Sequence, residues 1–499
     1  MKNRKLNFAA ILFAALGIVI TWCAKYALYF FRGDMALNFL PLLLVNAALL
    51  LLFLIMWKKQ LPKWVTVVSL VILAISFLIP LIFTVVNILN FPHFLNNLHT
   101  ILPEIVVGAG LMLVYMYYDK LVKSRKAQIT AIVLTAAVIV SASCTTLACY
   151  LTSGTVVFDT GDVYTVEFIS NRNGLGFVEV SRDGRTETYY HTEHGKRVAH
   201  TTIHQIEIPK EKLQGATYRA GVKSVLFTVS NQTFFGNTTY GQSIHFKSPA
   251  NDEGATFFTV SDVHTQPKGA VKAIEKHFDE LDFIVCLGDM VSFSGNHYDL
   301  TMLVDSMARL SKGALPVVFT RGNHELMGEG ANAIEDYIPT PTGQFYYTFT
   351  YNNAYFIVND MGADKPDDNR GFSGLSDGVN YRLSQHDFFE DAIQNASGDY
   401  VIHLSHIPIS TESEPLKSNL EGIIQMLSGK IDLSIAGHTH KFLVEEPSDR
   451  VPFTVIQEGG NIGKFPDSYI GAIFTLRGGH ITVDQVDASG NILDTIPLK

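Results

Sequence analysis

The chain has 499 residues, with 38 Lys and Arg against 47 Asp and Glu and a formal net charge of −9. Residues 1–151 hold 12 basic and 3 acidic side chains, so the remainder holds 38 − 12 = 26 and 47 − 3 = 44, a net −18. An acidic remainder lacks the basic footprint of a nucleic-acid binder, and Cys23, Cys144, Cys149 and Cys286 make neither a disulfide framework nor a thiolate metal site.

Five apolar stretches, about 6–24, 37–57, 64–89, 101–118 and 128–151, are each long enough to cross a bilayer, which takes about 20 residues. Lys2, Arg4, Lys5, Lys58, Lys59, Lys63, Lys120, Lys123, Arg125 and Lys126 fall on one set of flanks, and only Lys25 and Arg32 on the other. That alternation predicts a cytoplasmic N-terminus, and an odd number of spans places everything after residue 152 outside. Glu104 lies beside Pro103 at the outer interface, where a carboxylate stays wet. The reading is an all-α bundle of five spans over 1–151, acting as an anchor in contact with membrane lipid.

From about 155 to 248 the pattern turns to short alternating or β-branched runs such as "DVYTVEFIS", "GFVEVSRDG" and "HTTIHQIEI", separated by Gly, Asn and Asp turns. This spacing predicts a β-sandwich over 152–250. "LQGATYRAGV", with Thr217, Tyr218 and Arg219, resembles a stretch of fibronectin type III domains. His191, His194, His200 and His204 match no metal spacing and read as exposed strand histidines.

Beyond residue 251 five apolar runs each end abruptly in oxygen or imidazole groups. "TFFTVSDVH" ends in Asp262 and His264, "DFIVCLGDM" in Asp289, and "VVFTRGNHE" in Asn323 and His324. "VIHLSHIP" ends in His406, with His403 as a competitor that strand alternation disfavours, and "LSIAGHTH" ends in His438 and His440. Between these runs "GAVKAIEKHFDEL", "DLTMLVDSMARL" and "SQHDFFEDAIQN" carry helical apolar periodicity, the last opening with Ser384 and Asp387 at capping-box spacing. Strand–helix alternation makes an α/β layered domain whose ligands gather beyond the strand ends. Imidazole and carboxylate without thiolate suit Mn, Fe or Zn. Two such ions about 3.5–4 Å apart can hold an in-line phosphoryl displacement. Arg321 is a candidate phosphate clamp or one half of an ion pair, and the Gly- and Asp-rich stretch 362–380 a candidate cleft loop.

In this order, Asp-x-His, Gly-Asp, Gly-Asn-His-Glu, His-x-Pro and Gly-His-x-His resemble the calcineurin-like metallophosphoesterase superfamily. The resemblance covers about 255–460 and implies a four-layer domain over 251–499, two mixed β-sheets flanked by helices. It implies one metal on Asp262, His264, Asp289 and His440, and a second on Asp289, Asn323, His406 and His438. His324 would stand beside the substrate, stabilising developing charge and protonating the leaving oxygen. A β-sandwich ahead of such a domain also resembles purple acid phosphatases. The sequence departs from these in having His264, and in having Ser292 where they carry a tyrosine ligand, so their purple ferric site is not implied.

The function these readings imply is a membrane-anchored extracytoplasmic phosphoesterase with two divalent ions. It would cleave mono- or diesters of phosphorylated small molecules, lipid-linked phosphates or envelope polymers by attack of a metal-bound hydroxide. The alternative is a membrane sensor that keeps the phosphoesterase fold as a ligand-binding ectodomain. Such a sensor is expected to lose ligands, and this sequence keeps all of them.

Overall fold

The computed structural model describes residues 149–248 and 254–498, Ser230 excepted. Apart from residues 149–151, the five predicted spans lie outside the described residues. Among the described residues no helix is long and apolar enough to cross a membrane.

Residues 150–499 form one compact unit built on two mixed sheets. In the first, Ala255–Val260, Phe283–Cys286 and Pro316–Phe319 run parallel, flanked on one side by antiparallel Tyr469–Arg477, His480–Asp487 and Ile492–Pro497. In the second, Ala354–Asn359, Tyr400–Ser405, Leu433–Ala436 and Thr454–Gln457 run parallel between antiparallel edges Tyr347–Tyr351 and Leu443–Glu445. Strands such as "ATFFTV", "FIVC", "PVVF" and "LSIA" are buried at every residue, as parallel strands covered on both faces must be. They present alternate residues to two cores. Phe257, Phe283 and Val285 meet Phe349, Phe356, Ile402 and Ile435 between the sheets, where Phe257 stacks on Phe283 at 4.9 Å and Phe349 on Phe356 at 4.5 Å. Phe258, Ile284, Val317 and Phe319 face outward to the helices Lys268–His277 and His297–Ser311. On the far side Tyr355, Ile357 and Val455 pack against His386–Gln394 and Leu416–Leu427. The result is the expected four layers: helices, sheet, sheet, helices.

Local chemistry sets the helix ends. Asn296 caps His297–Ser311 by accepting from the Tyr298 and Asp299 amides at 2.8 and 3.4 Å. The Ser384–Asp387 capping box does not form: Ser384 closes the preceding helix Gly378–Leu383, and its hydroxyl donates to the Tyr381 carbonyl instead.

The β-rich stretch departs from the sequence reading in connectivity. Its strands exist, but they are not a self-contained fibronectin-like sandwich. Val156–Asp159 runs parallel to Pro316–Phe319 and antiparallel to Val163–Arg182, joining both regions in one sheet. The 20-residue Val163–Arg182 shifts register between Ile169 and Gly174. Its first half pairs with Thr201–Pro209, and its second half with Arg185–Tyr190 and Thr217–Val229, which in turn pairs with Gln232–His245. Tyr218 of the fibronectin-like motif is buried and donates to the Gly313 carbonyl at 2.7 Å, 95 residues away. Of the four histidines read as exposed, His204 is fully buried: its Nε2 lies 2.8 Å from the Ser170 hydroxyl, and its ring lies beneath Gly176, where a Cβ would come within 2.5 Å of it.

Candidate metal centre

The five predicted strand ends converge at one edge where the two sheets meet. Asp262 and His264 follow Ala255–Val260, Asp289 follows Phe283–Cys286, and Asn323 and His324 follow Pro316–Phe319. From the facing sheet, His406 follows Tyr400–Ser405, and His438 and His440 follow Leu433–Ala436. Aiming these side chains inward bends the backbone into the left-handed region at Asp262 (φ 51°), His264 (45°), Asp289 (52°), His438 (73°) and His440 (54°). Such a conformation costs a non-glycine residue about 1–3 kcal/mol and persists only where its surroundings over-determine it. Here the Asp262 amide donates to the Gly288 carbonyl, the His264 amide to the Asp289 carbonyl, and the His438 amide to Asp262 Oδ2 at 2.8 Å. At Gly288 (φ 81°) a Cβ would lie 2.5 Å from the Gly322 nitrogen, so two of the ligand-bearing loops touch backbone to backbone.

The side chains form two clusters joined at Asp289 and His264. Asp262, His264 and His440 place ligand atoms within 4.8 Å of one another; so do Asp289, His406 and His438, and so do His264, Asp289 and His324. Asn323 Oδ1 is 3.1 Å from both His406 Nε2 and His438 Nδ1, and His406 Nε2 is 3.3 Å from Asp289 Oδ2. Across the first cluster His264 Nε2 faces His440 Nε2 at 3.4 Å, and His440 Nε2 faces Asp262 Oδ1 at 3.4 Å.

These residues fit divalent cations. Asp262 Oδ1 is buried without a hydrogen-bond donor, and facing imidazole nitrogens at van der Waals distance are satisfied by a shared cation rather than by each other. His406 Nδ1 donates to the Leu287 carbonyl at 2.6 Å and His440 Nδ1 to the Asn461 carbonyl at 2.9 Å, leaving each Nε2 lone pair for a metal. Burial holds His264 below the usual imidazole range, and burial with His406 brings His438 down to about 4. Burial pushes Asp289 up, but the neighbouring His406 and His324 outweigh it and keep the carboxyl below its ordinary range. Neutral imidazole and ionised carboxylate are the states that ligation requires. His406 is the exception: burial opposes its charge, yet Asp289, Asp262 and Glu325 raise it to about 10. A metal there would displace a proton.

Three contributors had no role in the sequence reading. Glu325 is fully buried; Oε2 accepts from the Asp289 and Gly322 amides at 2.8 and 2.9 Å, and Oε1 from Met290 and Val291 at 2.8 and 3.2 Å. Burial and the Asp289 charge raise it to about 7. Asn461 orients His440 through its carbonyl and ties Val263 and Gln266 together through its side-chain amide. Glu458 is buried nearby, accepts from the Tyr469 hydroxyl at 3.0 Å, and is raised well above the carboxylate range by burial. Glu458 and Asn461 belong to "QEGGN", a sixth strand end whose signal was the same break from an apolar run into polar residues.

Arg321 and His403 have partners of their own. Arg321 forms a buried ion pair with Asp360 at 2.7 Å, flanked by the Phe345 and Tyr381 rings, rather than a free phosphate clamp. Tyr381 donates to the same Asp360 oxygen at 2.9 Å, while the buried Arg321 Nε has no hydrogen-bond partner among the described residues. His403 is buried in the sheet with Nδ1 2.8 Å from the Ser434 hydroxyl. The 362–380 loop is ordered: Arg382, buried just beyond it, donates to the Met361 and Ala363 carbonyls.

Residues 255–442 match the family model of the calcineurin-like phosphoesterases. No curated protein matches the chain. Among solved structures, a purple acid phosphatase from yellow lupin (Lupinus luteus) seeds is similar with a TM-score of 0.52 at 14% identity, over 69% of this chain and 73% of that one. PhoD is similar with a TM-score of 0.45 at 14% identity, over 66% of this chain and 85% of that one. A dimetal phosphatase from Danio rerio gives 0.38 at 15% identity, over 50% of this chain and 99% of that one. The stretch that supplies every ligand-bearing strand end is therefore a calcineurin-like phosphoesterase domain, and the chain carries the fold of a metal-dependent phosphoesterase.

Proposed function

We propose that the protein hydrolyses phosphate mono- or diesters at this centre with two divalent ions of Mn, Fe or Zn. The observation that carries the reading is the position of Asp289, whose carboxylate lies within ligand distance of both His264 and His406 and so can serve two ions at once. Asp262, His264, Asp289 and His440 would hold one ion, and Asp289, Asn323, His406 and His438 the other. When bound, such ions polarise the phosphoryl oxygens and make water nucleophilic near neutral pH.

The chain's own groups do the rest. His324 Nδ1 donates to the Ser292 carbonyl at 2.7 Å, which orients the ring and leaves Nε2, 3.8 Å from Asp289 Oδ2, toward the site. Its ring stands edge-on to His264 at 4.6 Å and its side chain is 26% exposed, so it can reach a bound ester while staying next to the ions. From there it stabilises charge on the phosphoryl group and gives a proton to the leaving oxygen. Glu325 and Asn461 hold the ligand-bearing loops in place during this step.

The same reading makes the protein an integral membrane protein with its catalytic domain outside the cytoplasm, acting on phosphorylated small molecules, lipid-linked phosphates or envelope polymers. Its support is the Lys and Arg alternation around the five apolar stretches. The test uses the full chain in lipid, stripped of metal and resupplied with Mn, Fe or Zn, on an aryl phosphate monoester and the matching diester. Metal-dependent turnover should fall about 10²–10⁴-fold in His324→Ala. Tight ester binding without turnover would instead favour the sensor reading. Labelling of a cysteine placed at Ser489 by an impermeant reagent in intact cells tests the orientation, and protection of that cysteine would overturn it.

A further inference from the structure

His324 is held by the carbonyl of Ser292, and the next residue is Phe293. In a trans peptide a carbonyl oxygen lies about 2.8 Å from the following Cα. With His324 Nδ1 2.7 Å from that oxygen, the Phe293 Cα lies within about 5.5 Å of the imidazole nitrogen. Phe293 is 53% exposed, and among the described residues no aromatic partner holds its ring. An exposed phenylalanine is ordinary in itself. What sets this one apart is that its backbone follows directly on the carbonyl that holds His324, the group proposed to protonate the leaving oxygen.

The segment around it is rigid. The Ser294 amide donates to the Met327 carbonyl at 2.6 Å, and Gly295 donates to Asp299 Oδ2 at 3.0 Å. At Gly328 (φ 107°) and Gly330 a Cβ would come within 2.6 and 2.9 Å of the Ser294 carbonyl, so the loop after Asp289 presses directly onto the loop after His324. The Phe293 ring itself lies across Gly295, where a Cβ would meet its edge at 3.0 Å. The ring therefore rests against Gly295 at the surface and is not folded into the core.

We infer that Phe293 is a specificity-determining residue: its ring is an apolar platform for the leaving group, favouring esters whose alcohol is aromatic or hydrocarbon over those with small polar alcohols. The inference rests on the phosphoesterase reading for its orientation, since His324 marks the leaving-group side. An apolar alcohol laid on the ring loses water from both surfaces, and the contact exists for leaving groups large enough to reach past His324. Aryl and alkyl groups share this chemistry, and the experiment separates them.

The measurement is binding of non-hydrolysable phosphonates to the full-length, metal-loaded protein by calorimetry, with methyl-, hexyl- and benzylphosphonate, beside kcat/KM for methyl, hexyl and phenyl phosphate. Phe293→Ala should weaken benzyl- and hexylphosphonate about tenfold, the scale of one ring face of apolar contact, and leave methylphosphonate within twofold. Phe293→Leu should retain the hexyl preference and lose part of the benzyl one. Equal weakening of all three, or no change in any, overturns the platform. A size preference in binding without metal-dependent turnover would keep the platform and sink the hydrolase reading, so the two fail separately.

Discussion

Glu325 accepts four backbone amides with two oxygens, a task that no carboxamide can perform. In Glu325→Gln the carboxamide nitrogen faces donors it cannot accept from, leaving buried amides bare at about 1–3 kcal/mol each. The expected result is a lower thermal midpoint together with weaker metal binding, about 10–100-fold, because two of the amides belong to Asp289 and Met290. Metal affinity unchanged in a folded Glu325→Gln protein would remove it from the support of the centre. His403 makes a second residue-level prediction. Burial brings its imidazole down to about 3, so below about pH 6.5 the unfolded chain binds a proton that the folded one does not. Stability is therefore fully present above pH 6.5 and is lost as pH falls toward 3, with a slope approaching about 1.4 kcal/mol per pH unit. Denaturant midpoints at pH 7 and pH 5 should differ less in His403→Gln than in the parent; an equal difference would refute the assignment. The ligand residues were legible because polar groups after apolar runs have no role in a core. Arg321 was only half legible: its charge was visible, but Asp360, 39 positions later, decides what that charge touches.

At the scale of elements, strand existence follows from composition, while strand partnership does not. "TVVFDTGD" reads as a strand on its β-branched and aromatic content, yet nothing in it says that Val157 lies opposite Pro316. That pairing moves the working boundary of the catalytic unit from residue 251 to about 150. A chain that begins at Gly254 would bare the edge of Pro316–Phe319 and the face that Tyr218 and Phe158 cover, and an apolar edge of this kind invites association. On size-exclusion chromatography, residues 254–499 should elute as aggregate and residues 150–499 as a defined species. A monodisperse 254–499 would show that the added strands are dispensable. Helix boundaries teach the same lesson on a smaller scale. Leu416, Leu420, Ile423 and Leu427 repeat at helical spacing and all are buried, whereas the Ser384–Asp387 signal gave way to a helix that had already claimed Ser384.

For the molecule as a whole, the centre joins two sheets that share no hydrogen-bonded strand, with Asp262, His264, Asp289 and Asn323 from one and His406, His438 and His440 from the other. Ions bound there act as a clamp between the layers and stabilise the folded state by mass action, about 2.7 kcal/mol at a free concentration 100 times Kd. Metal-stripped protein should melt lower and recover on reloading. His440→Ala should bind one ion per chain in place of two, and Asp289→Asn should lose most of the gain in midpoint. Metal analysis beside a thermal scan checks each, and two ions retained by Asp289→Asn would argue against a shared ligand. The four-layer arrangement was readable from the order of motifs through the family they resemble. Its extension by Val156–His245 was not, because it depends on contacts between residues more than a hundred positions apart.

One pairing also has a meaning in time. Ala255–Val260, the strand that delivers Asp262 and His264, lies between Phe283–Cys286 and Tyr469–Arg477, with Thr259 opposite Ala472. A chain made from its N-terminus has the hairpins of residues 163–245 in hand early, since their partners are near in sequence. The strand beneath the first metal cluster has no neighbour on its other side until Tyr469–Arg477 emerges. Assembly of the centre thus waits until Tyr469–Arg477 has been made, and a chain that stops between His440 and Tyr469 has every ligand and no finished sheet to hold them.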